Sequence, residues 1–147
     1  MKKHTIKKSI EIHTPKERVW DVLLNPKFVN TWVSEFSEGS QVEADWDVGG
    51  TVLYKDRDGN GLKARVADHR PNRLLKVVHE AILNHGIEDP ESDDLPKWKG
   101  CREAYLLSEK SGVTTLSIES EVPEEYFEPF KPSWDKSLQK IKELAEK

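Results

Sequence analysis

Four residues in the second half of the chain carry groups that acid–base or nucleophilic chemistry uses: His79, Cys101, Glu103 and Tyr105. Because side chains alternate across a strand, Cys101, Glu103 and Tyr105 share one face, and its apolar members indicate that this face turns inward. Glu103 is then a carboxyl in a cavity, and we predict that His79 on the preceding strand is its hydrogen-bond partner. Such a pair could polarise a ligand carbonyl or accept a proton.

Each of these residues also has a structural explanation. Glu103 could be exposed on an irregular strand, and Cys101 is best explained as a small buried thiol because no neighbouring feature implies a low thiolate pKa. No serine lies in a G-x-S-x-G elbow, so the sequence does not support a hydrolase triad. We therefore assign no catalytic residue.

Two short motifs imitate metal and phosphate sites. Residues 56–61 resemble the start of a calcium-binding EF-hand loop, but Ala67 stands where that loop needs a bidentate glutamate, so we predict a hairpin turn. Val48-Gly49-Gly50 lacks phosphate-loop spacing and precedes a strand instead of a helix. One cysteine and five scattered histidines give no zinc spacing. No metal and no other cofactor is predicted.

Five tryptophans suggest a different kind of site, an aromatic box around a ligand. Core packing explains most of them, as for Trp20 on a half-buried helix face. Trp32, Trp98 and Trp134 are better candidates because they belong to the second helix, a long loop and the final helix, which should surround a cavity opening. With apolar surface from neighbouring elements, the predicted ligand-binding set is Trp32, Tyr54, His79, Trp98, Glu103, Tyr105, Trp134 and Leu138.

The elements that must position these residues can be read from periodicity and turn signals. Alternation predicts a first strand over 5–13, and a capping box from Thr14 to Glu17 begins a helix that ends at Asn25-Pro26, before a short second helix over 27–32. Short connections predict antiparallel pairing of six further strands, over 40–46, 50–56, 61–69, 73–83, 100–110 and 113–122.

The last part of the chain predicts one long helix after Pro132, with Ser133 as its cap. Its apolar face consists of Trp134, Leu138, Ile141 and Ala145. The acidic connection over 84–99 is predicted to be a lid or a mobile surface loop at the cavity mouth. Together these elements give an α+β fold in which a curved antiparallel sheet of six or seven strands wraps around the C-terminal helix.

Composition sets the class of protein. The chain of 147 residues is 35% hydrophobic and 34% charged, as expected for one soluble globular domain over 1–147. No stretch reaches the roughly 18 apolar residues of a membrane helix, and the basic start lacks a secretory apolar run. We expect a cytoplasmic location. A net charge of -4 argues against nucleic acid as a partner.

The order of several motifs is similar to that of a known superfamily. The motifs are Pro15-x-Glu17-x-Val19-Trp20, Trp32, Val48-Gly49-Gly50, Tyr54, Pro71-x-Arg73-Leu74-Leu75, Tyr105-Leu106-Leu107 and Trp134-x-x-x-Leu138-x-x-Ile141. Across nearly the whole chain they resemble the START-like, or SRPBCC, helix-grip superfamily. The branch they resemble is the bacterial one homologous to the activator of the heat-shock chaperone ATPase. The loop over 84–99 is longer and more acidic than is usual there.

The resemblance implies a cavity more strongly than a reaction, because the superfamily includes carriers, cyclases and chaperone cofactors. We predict a protein that binds a small hydrophobic molecule between sheet and helix, without a covalent mechanism. The alternatives are an aromatase or cyclase-type enzyme that uses the same cavity, and a chaperone-cofactor or protein-interaction module. The sequence leaves a homodimer open.

Overall fold

A computed structural model describes residues 2–147 of the chain. Its strands are β1 (Lys3–Ile12), β2 (Gln41–Ala44), β3 (Thr51–Lys55), β4 (Gly61–Arg70), β5 (Leu74–Asn84), β6 (Ile87–Glu88), β7 (Arg102–Lys110) and β8 (Val113–Pro123). Its helices are α1 (Lys16–Leu24), α2 (Pro26–Val33), α3 (Leu95–Trp98) and α4 (Glu124–Glu146). The predicted α+β helix-grip architecture is confirmed, with two short helices after the first strand and a long helix at the C-terminus.

The strands form one antiparallel sheet in the order β1-β8-β7-β5-β4-β3-β2, and the two-residue β6 pairs with the end of β5. Strand β1 pairs with β8, so the first and last strands of the chain lie side by side at one edge. The pairing of β4 with β5 contains two irregularities, between Lys63 and Ala64 and between Val66 and Asp68. Bulges of this kind bend a strand and increase its twist, which favours a concave sheet.

Helix α4 differs from the prediction at its start. It begins at Glu124, ten residues before Trp134, and both Pro129 and Pro132 lie inside it. Ser133 is therefore not its cap. Each proline removes one backbone donor from the helix, but Tyr126 and Phe130 pack against the core one helical turn apart on the face that continues to Trp134. We infer that this packing outweighs the two missing hydrogen bonds.

The start of α1 also differs from the prediction. The residue that caps α1 is Pro15, and no side chain accepts a hydrogen bond at this cap, so the capping box from Thr14 is wrong. The Thr14 carbonyl instead accepts a hydrogen bond of 2.7 Å from the hydroxyl of Thr114 on β8. Helix α2 does have a side-chain cap, since the Asn25 side chain accepts a bond of 3.0 Å from the amide of Lys27.

The connection over 84–99 is an organised part of the fold. It contains β6 and α3, and backbone bonds of 2.8 Å from Gly86 to Gly59 and 2.9 Å from Asp89 to Ile82 attach it to the neighbouring strands. Trp98 at the end of α3 is only 7% exposed. The predicted description as a mobile surface loop is replaced by a folded segment that buries an indole, although the segment does border the cavity.

Helix α4 packs across the concave face of the sheet. Its Trp134, Leu138, Ile141 and Ala145 are buried, as the sequence predicts. The buried hydroxyl of Ser137 donates a 3.1 Å bond to the backbone oxygen of Trp32, which joins α4 to α2. Among the described residues, no helix is long and apolar enough to cross a membrane.

Candidate functional site

A cavity of about 400 Å³ lies between the concave face of the sheet and the first half of α4. Its walls come from α2 and the segment after it, the β3–β4 hairpin, β5, α3, β7, β8 and α4. Most of the side chains that line it are apolar or aromatic: Trp32, Val33, Phe36, Tyr54, Leu62, Trp98, Tyr105, Val122, Tyr126, Phe130 and Trp134. Its polar lining includes Glu103, Ser120 and His79 from the sheet, with Gln41, Lys55 and Asp56 from the hairpin side.

Three aromatic rings from separate elements meet in the cavity wall. The ring of Tyr105 lies 6.2 Å from that of Trp32 and 6.1 Å from that of Trp134, in tilted or edge-on arrangements that aromatic pairs favour. The Trp32 indole is held by a 3.0 Å bond from its Nε1 to the Val22 carbonyl. These contacts fix the direction in which the ring faces are presented to a ligand.

Two acidic residues line the cavity, Asp56 after β3 and Glu103 on β7, and hydroxyl groups donate hydrogen bonds to the Glu103 carboxylate. The Tyr105 hydroxyl donates to Oε2 at 2.5 Å, and the Ser120 hydroxyl donates to Oε1 at 3.5 Å. Burial raises the pKa of Glu103 above its ordinary value, and the two hydroxyl donors act in the opposite direction because they favour the carboxylate. Burial also raises the pKa of Tyr54 and of Tyr105 well above the usual phenol value, and the nearby Glu103 carboxylate adds to both effects. Both tyrosines are therefore hydrogen-bond donors at neutral pH.

The predicted pair of Glu103 with His79 is not formed. In the β5–β7 register Glu103 stands opposite Val77, two residues before His79. The Glu103 carboxylate accepts its hydrogen bond from the Tyr105 hydroxyl instead. His79 packs between the rings of Tyr54 and Trp98, and its Nδ1 has no hydrogen-bond partner among the described residues. Burial lowers its pKa to about 4, so the imidazole is neutral at pH 7.

Seven of the eight predicted ligand-binding residues line this one cavity: Trp32, Tyr54, His79, Trp98, Glu103, Tyr105 and Trp134. Leu138 does not line it. It is 3% exposed and belongs to the apolar core, one helical turn beyond Trp134.

Sequence reasoning missed three aromatic residues of the wall: Phe36, Tyr126 and Phe130. The spacing of Tyr126, Phe130 and Trp134 by four residues is the signal that could have found two of them. Because Pro129 and Pro132 predict that the helix begins after residue 132, the spacing alone does not place Tyr126 and Phe130 on a helical face with Trp134. Phe36 follows α2 without a periodic signal, and its ring lies 4.9 Å from that of Trp134.

The remaining chemical candidates have structural roles. The turn over 56–60 is a hairpin in which the Asp56 carboxylate accepts bonds of 2.9 Å from the amides of Asp58 and Asn60. No group of three or more potential metal ligands occurs within residues 2–147. Cys101 is buried, and burial raises the pKa of its thiol, which makes the thiolate less available.

A curved antiparallel sheet that holds a long C-terminal helix over an aromatic cavity defines a helix-grip, START-like protein. The chain belongs to the family described as "Activator of Hsp90 ATPase homolog 1-like protein", whose sequence profile matches residues 13–146. No curated protein gave a significant match.

Solved structures with the same fold cover nearly all of this chain. Protein CV1439 from Chromobacterium violaceum has 20% identity and a TM-score of 0.73, with 97% of each chain covered. The Aha1 dimer from Colwellia psychrerythraea has 15% identity and a TM-score of 0.73, with 97% of this chain and 96% of that chain covered. CalU16 from Micromonospora echinospora has 17% identity and a TM-score of 0.69, with 96% and 75% covered. These likenesses establish the fold.

Proposed function

We propose that this protein binds a small, largely apolar molecule in the cavity between the sheet and α4. The observation that supports this most directly is a cavity of about 400 Å³ walled by aromatic side chains from α2, α3, β7 and α4. Ligand sites are concave and mostly apolar, with a few polar groups that orient the ligand. Here Glu103 and the tyrosine hydroxyls are those groups.

A carrier fits the cavity better than an acid–base enzyme. An enzyme that moves a proton is expected to hold a hydrogen-bonded acid and base near the reacting atoms. Glu103 instead bonds to Tyr105 and Ser120, and the neutral His79 lies against aromatic rings. Glu103 is the feature of the cavity that supports the cyclase-type alternative. Within residues 2–147, none of the features described above favours the chaperone-cofactor alternative.

The experiment measures the affinity for a neutral fluorescent probe, N-phenyl-1-naphthylamine, from energy transfer between the indoles in the cavity wall and the bound probe. Val122 is buried on β8 and lines the cavity, so Val122→Phe should fill part of the space and weaken binding at least tenfold, or about 1.4 kcal/mol. Leu106→Phe adds a comparable ring on the exposed side of β7 and should leave the affinity unchanged.

Glu103→Gln keeps the shape of the polar end and should change the affinity for this neutral probe by less than about tenfold. Equal affinity for the Val122→Phe variant and the unaltered protein, with both folded, would show that the probe binds elsewhere. The Colwellia relative is described as a dimer. A homodimer stays a prediction for this chain, and sedimentation analysis measures it.

A further inference from the structure

The acidic end of the cavity points to the chemical class of the ligand. Within residues 2–147, the partners of the Glu103 carboxylate are the hydroxyls of Tyr105 and Ser120, and no cationic side chain acts on it. We propose, building on the binding function above, that the cavity takes a small aromatic or otherwise apolar amine in its protonated form, whose ammonium group contacts Glu103.

A cation satisfies this site better than a neutral or anionic group. A carboxylate in a low-dielectric cavity is costly unless an opposite charge compensates it, and two hydroxyl donors supply only part of that compensation. The rings of Trp32, Tyr105 and Trp134 surround the same region, and the Tyr105 hydroxyl touches the carboxylate directly. Aromatic faces attract ammonium groups, and this attraction grows when water is excluded. An anionic ligand would instead place a second negative charge beside Glu103.

A depression beside the cavity has the same electrostatic character. This depression of about 480 Å³ adjoins the cavity, and the two share five wall residues, Trp98 and Tyr126 among them. Asp89 and Asp94 line this depression, whereas no lysine or arginine does. Lys55 lines the cavity, but its ammonium group lies 3.1 Å from Glu43 and is already paired.

Lys97 carries a positive charge close to this depression, next to the lining residue Asp94. Lys97 pairs with Asp94 at 3.6 Å and with Glu125 at 2.9 Å, so it is shared between two carboxylates. Asp89 forms no such ion pair among the described residues, and its Oδ1 accepts a bond of 3.0 Å from the amide of Glu91. A cleft lined by one sign of charge raises the local concentration of oppositely charged ligands and their association rate. The depression and the cavity therefore favour the same charge.

Three probes of matched shape test this inference by calorimetry at pH 7: 2-naphthylmethylamine, 2-naphthylmethanol and 2-naphthoate. We expect the amine to bind at least tenfold more tightly than the alcohol, and the carboxylate to bind most weakly. This ranking is measured on the unaltered protein, so it does not depend on whether a variant folds. Equal or weaker binding of the amine relative to the alcohol would overturn the inference.

Two glutamine variants locate the source of the preference. Glu103→Gln should bring the amine to within about threefold of the alcohol, because the amide carries no charge to attract the ammonium group. Glu119→Gln removes a charge from the neighbouring, exposed position on β8, where Glu119 pairs with Lys7, and should keep the preference. A preference that survives Glu103→Gln would refute the assignment to this carboxylate.

The outcome separates this inference from the proposed function. Tight binding of the alcohol without any preference for the amine would leave an apolar binding protein and exclude only the cationic ligand. Failure of all three probes and of N-phenyl-1-naphthylamine would reject the binding function together with the inference.

Discussion

The imidazole of His79 lies between the rings of Tyr54 and Trp98, at centroid distances of 5.7 and 5.6 Å. Burial lowers its pKa from 6.5 to about 4 because charge is disfavoured away from water. As pH falls from 6.5 towards 4, the unfolded chain takes up a proton at His79 that the folded chain does not. The contribution of His79 therefore lowers the free energy of unfolding across that range, by up to about 3 kcal/mol.

We predict that His79→Phe removes this part of the acid sensitivity. The phenyl ring keeps the aromatic contacts and does not titrate, so its urea-unfolding free energy should fall about 3 kcal/mol less than that of the unaltered protein between pH 7 and pH 4. His85→Asn is the control, because His85 is exposed and has a positive φ of 51°, which asparagine tolerates. Parallel pH curves for His79→Phe and the unaltered protein would show that His79 is not buried as a neutral group.

At the scale of residues, the sequence predicted which side chains face the cavity better than it predicted their hydrogen-bond partners. Alternation along β7 correctly turned Glu103 and Tyr105 inward, since side-chain direction follows from the strand period. The partner of Glu103 could not be predicted, because it depends on the β5–β7 register and on the reach of the Tyr105 hydroxyl.

At the scale of elements, α4 shows where local rules fail. Pro129 and Pro132 are both exposed, and each removes an amide that would donate to the carbonyl four residues earlier, at Glu125 and Glu128. Sequence rules exclude such residues from the interior of a helix. The predicted start of α4 is therefore after Pro132, with Ser133 as its cap. Nothing local indicates that Tyr126 and Phe130 will find a cavity wall and Trp98 to pack against, at ring distances of 5.3 and 6.3 Å.

We predict that Pro132→Ala stabilises the protein by about 2 kcal/mol. The restored amide can bond to the Glu128 carbonyl, which raises the free energy of unfolding by about 3 kcal/mol. The unfolded chain becomes more flexible without the proline, which lowers the free energy of unfolding by up to about 1 kcal/mol. Thermal unfolding measures the change. Pro71→Ala lies in the exposed turn between β4 and β5 and should lower stability by about 0.4–1 kcal/mol, through the unfolded chain alone. A decrease of similar size in both variants would mean that α4 gains nothing from a complete hydrogen-bond ladder.

At the scale of the whole molecule, the order of strands and helices could be predicted because each element carries its own periodic and turn signals. All seven predicted strand segments, and the two short helices after the first strand, lie where the sequence places them, within a few residues. The two-residue β6 and the one-turn α3 are too short to produce a period, and they form because the connection packs against β5 and α4. The cavity is a property of the assembled elements, so the sequence predicted five of its eight aromatic wall residues and none of its polar contacts.

Helix α4 connects the parts of the molecule that are distant in sequence. The Arg18 side chain of α1 donates a 2.9 Å bond to the Leu144 carbonyl, and Lys142 donates a 2.9 Å bond to the Glu11 carbonyl of β1. Lys8 of β1 pairs with Asp135 at 2.8 Å. Since the same helix also buries an apolar face against the sheet, its loss should affect every layer of the fold.

We predict that deleting residues 133–147 abolishes cooperative unfolding. The deletion removes the buried Trp134, Leu138, Ile141 and Ala145 and exposes the concave face of the sheet, so the remaining chain cannot keep one two-state transition. Calorimetry should show no sharp thermal peak, whereas removal of Lys147 alone, an exposed residue beyond the end of α4, should leave the peak unchanged. A truncated protein with an unaltered, cooperative transition would mean that the sheet is stable without the helix it grips, and the helix would then serve only to close the cavity.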